Sequence, residues 1–416
     1  MRCVLHVVLL LGIAAAGPSL VWHEEAADGD VIDSRRAGQP VNPASVVKLA
    51  TSLWALERLG AEHRFETVFA IDGVLAANSG EIDGDLVVIG GGDPDFHVEN
   101  AYLVAELLNR VGVRSVRGRL LVDERFWIGW EGGSERTARR PDERATRMAS
   151  RLRDALDPAR WDARTRRIVG AFRARRKLTD APPAVVVRGG VGRSGATASA
   201  RPLVAHRSNP LGRLLKRFNA YSNNDIERLE SSLGSAAQLA AWLAARWGTD
   251  PAAVRFETLS GLGSNRMTPR DVVRLLRDLR ATAEQRGLDL RDLLPTAGCD
   301  PGTLERFTRL GDAADRALAA KTGTLVRTDG GVAVLAGIAH TESGERLWCV
   351  AAPGVGRGLE RARRAEEDWV LAMLSRAGGA RAVDCGDPVG FSDDAARVRA
   401  LRGSKPATSE LGQRGG

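Results

Sequence analysis

A serine and a lysine three positions apart, Ser45 and Lys48 in NPASVVKLA (42–50), are the residue types that nucleophilic acyl transfer requires if a fold brings them together. On a helix, positions i and i+3 share a face one turn apart, which brings the lysine amine within reach of the hydroxyl. The apolar neighbours Val46, Val47, Leu49, Ala50, Leu53, Trp54 and Leu56 predict burial on most sides. Burial, and the positive end of the helix dipole, both disfavour an ammonium there. A lysine that has shed its proton can accept the one on the serine; an arginine cannot, because guanidinium stays charged. The distinction is informative here: of 60 basic residues only Lys48, Lys177, Lys216, Lys321 and Lys405 are lysines. Taken alone, the same spacing also fits a lysine snorkelling to the surface.

Two further clusters carry chemistry of the same kind. In LAAKTGTLV (318–326), Lys321 supplies a fixed cation and Thr322 a hydroxyl, both suited to a substrate carboxylate, and Gly323 permits close approach to a strand. In NAYSNNDIERLE (219–230), Ser222 can relay a proton and Asn224 can hydrogen-bond an amide carbonyl. A helix cap has the same composition as this second cluster. Tyr221 and Asn223, one position earlier, form a rival Y-x-N pairing like that of class C β-lactamases and esterases.

The elements that must position these groups are readable. Pro43 suits a first helical turn and Gly60 a C-terminal stop, so 44–59 is expected as a helix. The S-x-N cluster falls on a turn between a helical pattern at 211–218 and a following helix. Lys321 opens a run of β-branched segments broken by a Ser-Gly turn, the pattern of an antiparallel meander. Thr268, Pro269 and Asp271 read as the capped start of another helix. VIGGGDPDF (88–96) lacks a following G-K-[ST], so it reads as a turn closing a strand and not as a phosphate cradle.

The order S-x-x-K, S-x-N, K-T-G is shared by serine penicillin-binding proteins and serine β-lactamases. Beyond the motifs, NPASVVKLATSLWALERLG, GDLVVIGGGDP, VRGRLLVDERFW, AHRSNPLGRLLKRFNAYSNN, LSGLGSNRMTPRDVVRLL and AKTGTLVRTDGGVAVLAGI resemble segments of the D-alanyl-D-alanine carboxypeptidase/endopeptidase family of low-molecular-mass penicillin-binding proteins, peptidase family S13. The long interval between Ser45 and Ser222 also resembles that family, which carries an insertion there. The resemblance covers about 21–380 with a gap in the middle. It implies an α+β fold: a transpeptidase-like antiparallel sheet flanked by helices, with a helical lobe and an inserted subdomain. It further implies that Ser45 is the nucleophile, Lys48 its base, Ser222 a proton shuttle and Asn224 an orienting amide. Lys321 and Thr322 would bind the carboxylate, and the backbone N–H groups of Ser45 and Thr324, beside Gly323, would hold the oxyanion. Peptidoglycan stem peptides would be the substrate and β-lactams covalent inhibitors, with no cofactor. A β-lactamase or esterase on the same machinery, or a degenerate envelope-polymer binder, are the alternatives. Four departures bear on substrate preference: the insertion is shorter than in typical members of the family, 136–176 holds fourteen arginines against five acids in place of strand-rich sequence, Asn223 stands where Asp is common, and Gly263 interrupts the usual Ser-Gly-Leu-Ser run at 260–263.

Composition bounds the rest. With 416 residues, 44% hydrophobic and 27% charged, the chain suits two domains or one domain with an insertion. A formal charge of +8 admits peripheral contact with an anionic envelope, but arginines spread through nearly every segment do not mark a specific nucleic-acid site. Residues 1–16 read as a signal peptide, so export to the periplasm or cell envelope is expected. Cys299, Cys349 and Cys385 then allow one internal disulfide without selecting the pair. The six histidines are scattered, with no metal-binding spacing. We expect a catalytic domain over 17–79 and 185–380, an insertion over 80–184, and a disordered tail over 381–416. Oligomeric state is left open.

Overall fold

A computed structural model describes residues 19–130, 140–195, 200–387, 389 and 397–401. The expected signal peptide lies outside these residues. The chain opens on a hairpin, β1 (Val21–Ala26) and β2 (Val31–Arg35), then passes through a 3-10 turn at Ala44–Val46 into α1 (Val47–Leu59). A second body follows: the hairpin β3 (Glu66–Ala76) and β4 (Glu81–Ile89), α2 (Val98–Arg110), and short β5 (Ser115–Val116) and β6 (Leu120–Val122). The arginine-rich stretch forms α3 (Pro141–Leu156) and α4 (Ala163–Arg175), followed by β7 (Val186–Val187), β8 (Val191–Arg193) and β9 (Arg201–Arg207). The chain returns through α5 (Leu211–Tyr221), a 3-10 segment at Asn224–Leu229, the single turn α6 (Glu230–Leu233), α7 (Ala236–Trp247) and α8 (Pro269–Glu284). It closes with β10 (Leu318–Leu325), β11 (Val332–Thr341), β12 (Gly344–Pro353), α9 (Leu359–Arg376) and β13 (Val398–Ala400).

Two sheets result. The first is antiparallel, in the order β10-β11-β12-β1-β2, and includes the expected meander. α1, α5, α7 and α8 pack on one face of it and α9 on the other, each face with its own apolar cluster. α1 is the central helix: apolar side chains on every face let all residues from Val47 to Leu56 be buried. Its polar members are satisfied inside the core, as when Thr51 donates to the Leu259 carbonyl at 2.7 Å. The expected start at 44 is met by a 3-10 turn, and Ala44 takes a left-handed φ of +49°.

The second sheet runs β13-β9-β3-β4-β5-β7, with β6 and β8 extending it from β4. Its core is separate, filled from α2, α3, α4 and the sheet. The boundary expected between 79 and 80 falls in the turn of the β3–β4 hairpin. The one expected between 184 and 185 leaves β9 outside the insertion, although β9 pairs with β3. Strand composition is alike in both bodies, so only the long-range pairing reveals which sheet β3 and β9 join.

The tail also departs from expectation. Cys385 is bonded to Cys299, the Val383 amide donates to the Arg316 carbonyl, and β13 adds to the edge of β9, so 381–387 and 397–401 are built into the fold. A segment held by a covalent tie, by hydrogen bonds such as those of Arg381 and Val383, and by three edge residues needs little periodicity of its own, which is why its sequence resembles a disordered tail. Cys349 is buried and free. Among the described residues no helix is long and apolar enough to cross a membrane.

Candidate active site

Three elements converge on one cleft. The 3-10 turn carries Ser45, and α1 holds Lys48 fully buried one turn on. The Lys48 amine lies 3.1 Å from Ser45 Oγ, 3.1 Å from Asn224 Oδ1 and 2.7 Å from the Ser260 carbonyl oxygen. The last two groups only accept hydrogen bonds; the hydroxyl can also donate one. A neutral amine has two N–H donors for those acceptors and a lone pair left to face the serine. Electrostatics agree with that valence: burial lowers Lys48 to about 7, with the Glu227 carboxylate pulling the other way.

The S-x-N cluster sits where α5 ends. Ser222 takes a left-handed φ of +53° as its cap, and the Asn223 amide closes back on the Phe218 carbonyl at 3.0 Å. Ala44 and Ser222 are both non-glycine residues held at positive φ beside the cleft, each at a cost on the order of 1 kcal/mol or more that the surrounding packing must offset. The turn aims Ser222 and Asn224 inward. Asn223 instead caps its own segment, accepting from the Asp225 amide, and Tyr221 is exposed. The structure therefore brings Ser222 and Asn224, not Tyr221 and Asn223, to the lysines. Further along the same segment, Arg228 pairs with Asp225 at 2.9 Å and donates to the Pro94 and Gly129 carbonyls, tying it to the second body.

β10 supplies the third side. Its residues alternate, so Ala319 and Leu325 join the core around α1 while Leu318 and Ala320 join the core under α9; Lys321 and Gly323 therefore face α1. At Gly323 a Cβ would lie 2.7 Å from the Pro43 carbonyl oxygen and 3.2 Å from Ala44 Cβ, so only glycine lets the Ser45 turn rest against the strand. The Ala320 amide donates to the Pro295 carbonyl, off the edge away from β11. By the same alternation the amides of Thr322 and Thr324 leave that free edge, which is where an oxyanion could meet the Thr324 N–H.

Lys321 is fully buried, 3.0 Å from Ser222 Oγ and 2.6 Å from the Thr322 carbonyl oxygen. Burial first, and the neighbouring Lys48 second, hold its amine well below the usual lysine range. The fixed cation expected at this position is thus disfavoured by the protein's own groups. Thr322 Oγ1 is held by Thr303 Oγ1 at 2.7 Å, and Thr303 also reaches the Ala220 carbonyl. Of the remaining lysines, Lys216 is structural: buried, it pairs with Asp300 at 3.1 Å.

Ser260, Glu227 and Thr303 were not singled out by sequence. Ser260 stands at the head of the Ser-Gly-Leu-Ser-like run, and Glu227 lies three residues after Asn224; Thr303 has no such signal. Ser222, Asn223 and Asn224 also line a groove of about 760 Å³ together with Trp130, Trp161 and Arg164, so the arginine-rich helices border the space next to the S-x-N turn. Among the described residues no cluster of three or more His, Cys, Asp or Glu is placed to hold a metal ion.

Comparisons with known proteins agree with this assembly. The model of the D-Ala-D-Ala carboxypeptidase 3 (S13) family matches residues 18–137 and 174–373. A D-alanyl-D-alanine carboxypeptidase of Actinomadura sp. (strain R39) is 38% identical over 103 residues, 25% of this chain and 19% of that relative, so the chain spans about a fifth of its length. Among solved structures, a predatory endopeptidase of Bdellovibrio bacteriovorus in complex with an immunity protein is 24% identical with a TM-score of 0.77, over 92% of this chain and 100% of that one. A penicillin G-acylated predatory endopeptidase of the same organism is 21% identical with a TM-score of 0.74, over 92% and 100%. Penicillin-binding protein 4 of Haemophilus influenzae is 18% identical with a TM-score of 0.60, over 85% and 97%. The fold is therefore the expected α+β one of penicillin-binding proteins. With the family model matched along most of the sequence and its three motifs gathered at one cleft, the chain belongs to the D-Ala-D-Ala carboxypeptidase 3 (S13) family.

Proposed function

We propose that the protein is a serine D-alanyl-D-alanine carboxypeptidase/endopeptidase that acts on peptidoglycan stem peptides outside the cytoplasm and is acylated by β-lactams. The observation that carries this reading is the buried Lys48 amine, facing the Ser45 hydroxyl with its other contacts taken by acceptors.

Lys48 accepts the Ser45 proton as Oγ attacks the carbonyl carbon between the terminal D-alanines. The displaced electron pair settles on oxygen, facing the N–H groups of Ser45 and Thr324, each donor contributing on the order of 3 kcal/mol. Collapse breaks the C–N bond; the leaving amine takes a proton from the Ser222 hydroxyl, which Lys321 touches, and the proton that Lys48 took from Ser45 replaces it, leaving Lys48 neutral in the acyl-enzyme. The departing carboxylate is bound by Lys321 and Thr322; its negative charge restores the proton affinity that burial and Lys48 remove. Asn224 orients the acyl-side amide while also holding Lys48. Water then hydrolyses the ester on Ser45. The basic face of α4, which carries no acid between Ala163 and Arg175, suits peripheral contact with an anionic envelope.

Release of D-alanine from a stem pentapeptide tests the reading. The native protein should release it, and Ser45→Ala should not; equal release by both contradicts the assignment.

A further inference from the structure

We propose that Glu227 is a positioning residue for acylation: carried on the same segment as Asn224 and clasped by Ser260, its carboxylate is the counter-charge for the lysinium formed when Lys48 takes the Ser45 proton. This rests on the acyl-enzyme reading and adds a group outside the three motifs.

The segment Asn224–Leu229 is a 3-10 helix, in which residues i and i+3 eclipse. That register stacks Glu227 over Asn224, as it brings Arg228 alongside Asp225. Ser260 joins both partners: its hydroxyl donates to Glu227 Oε1 and its carbonyl accepts from Lys48. Glu227 is only 8% exposed, so water screens its field weakly on this side. It also borders a second cavity of about 700 Å³, lined in addition by Arg144, Arg228, Arg255 and Glu257.

The charged group that acts on Lys48 is the Glu227 carboxylate, from the 3-10 helix, while Lys321, facing it from β10, is itself disfavoured as a cation; Ser45, Asn224 and Ser260, which touch Lys48, are uncharged. Acylation moves one proton from Ser45 Oγ to Lys48 Nζ and so creates a cation in the core. A substrate carboxylate that recharges Lys321 brings the compensating negative charge with it, and Glu227 supplies the counter-charge for the new cation on Lys48. The Glu227 carboxylate also favours the protonated form of Lys48 before Ser45 reacts.

The rate of labelling by a fluorescent penicillin, followed from pH 5 to 9, separates this role from simple scaffolding. In the native protein labelling should rise through about pH 7. In Glu227→Gln the rise should move down by about one pH unit, and the plateau should fall several-fold because the base is weaker. Ser260→Ala, which frees the carboxylate to turn away, should move the rise in the same direction; it decides the matter if Glu227→Gln does not fold. A rise that stays in place while the plateau drops marks a structural role and overturns the inference. Failure of the native protein to label overturns the acyl-enzyme reading itself, and the two failures are distinguished by that arm.

Discussion

Lys48 and Lys321 grip the two ends of one turn: the first lies 3.1 Å from Asn224 Oδ1, the second 3.0 Å from Ser222 Oγ. Both amines are buried, and Lys48 adds to the burial that disfavours a proton on Lys321. The cleft therefore holds one proton more readily than two until a substrate brings its own negative charge.

That arrangement makes Lys321 a sensor for a carboxylate. Lys321→Ala should slow acylation by benzylpenicillin about 10- to 100-fold, the worth of a charge-assisted hydrogen bond. The same substitution should matter far less with the methyl ester of the drug. Stopped-flow acylation rates for both compounds give the comparison; equal losses contradict the assignment of Lys321 and Thr322 to the carboxylate.

Lys48 should also leave a mark on stability. Its value in the fold, about 7, lies below the ordinary 10.5, so between these pH values the folded chain binds fewer protons than the unfolded one. The native state then loses stability as pH falls from 10 to 7 and levels off below. Lys48→Met removes this titration. The difference in melting temperature, variant minus native, should grow toward lower pH across that window; a difference independent of pH would show that Lys48 is not held neutral.

Gly323 is where the nucleophile's turn meets β10. A methyl group there would press on the Pro43 carbonyl and Ala44. Gly323→Ala should cut acylation by about 100-fold or more, the loss that displacing reacting groups by about 1 Å can bring, while circular dichroism stays native. Acylation at the native rate would mean that the turn can move away from the strand at no cost.

The bond between Cys299 and Cys385 joins positions 86 apart and fixes the first part of the tail. Cys299→Ser should lower unfolding free energy by about 2–4 kcal/mol in denaturant titrations, chiefly through the unfolded chain. No change would mean that the remaining tail contacts suffice.

How much of this was legible in the sequence follows the range of the interactions. Ser45 and Lys48 could be paired because helical spacing is local, and β10 to β12 because alternation is. The S-x-N turn was readable from its position after a helical pattern. Ser260 and Thr303 were not, since nothing local relates them to Lys48 or Thr322. Glu227 lay in plain view but faces Asn224 only because that segment is a 3-10 helix, which residue types alone do not dictate. The depressed proton affinity of Lys321 is not readable from its motif for a related reason: its burial and its nearness to Lys48 are tertiary facts. The same holds for β3 and β9, whose sheet is settled by pairing across the chain.

The mechanism turns on a neutral lysine activating a serine, and covalent labelling with a fluorescent penicillin, read on a denaturing gel, tests it most directly. The native protein should label, whereas Ser45→Ala and Lys48→Arg, one lacking the nucleophile and the other a base that can give up its proton, should not. Labelling of both variants at the native level would contradict it.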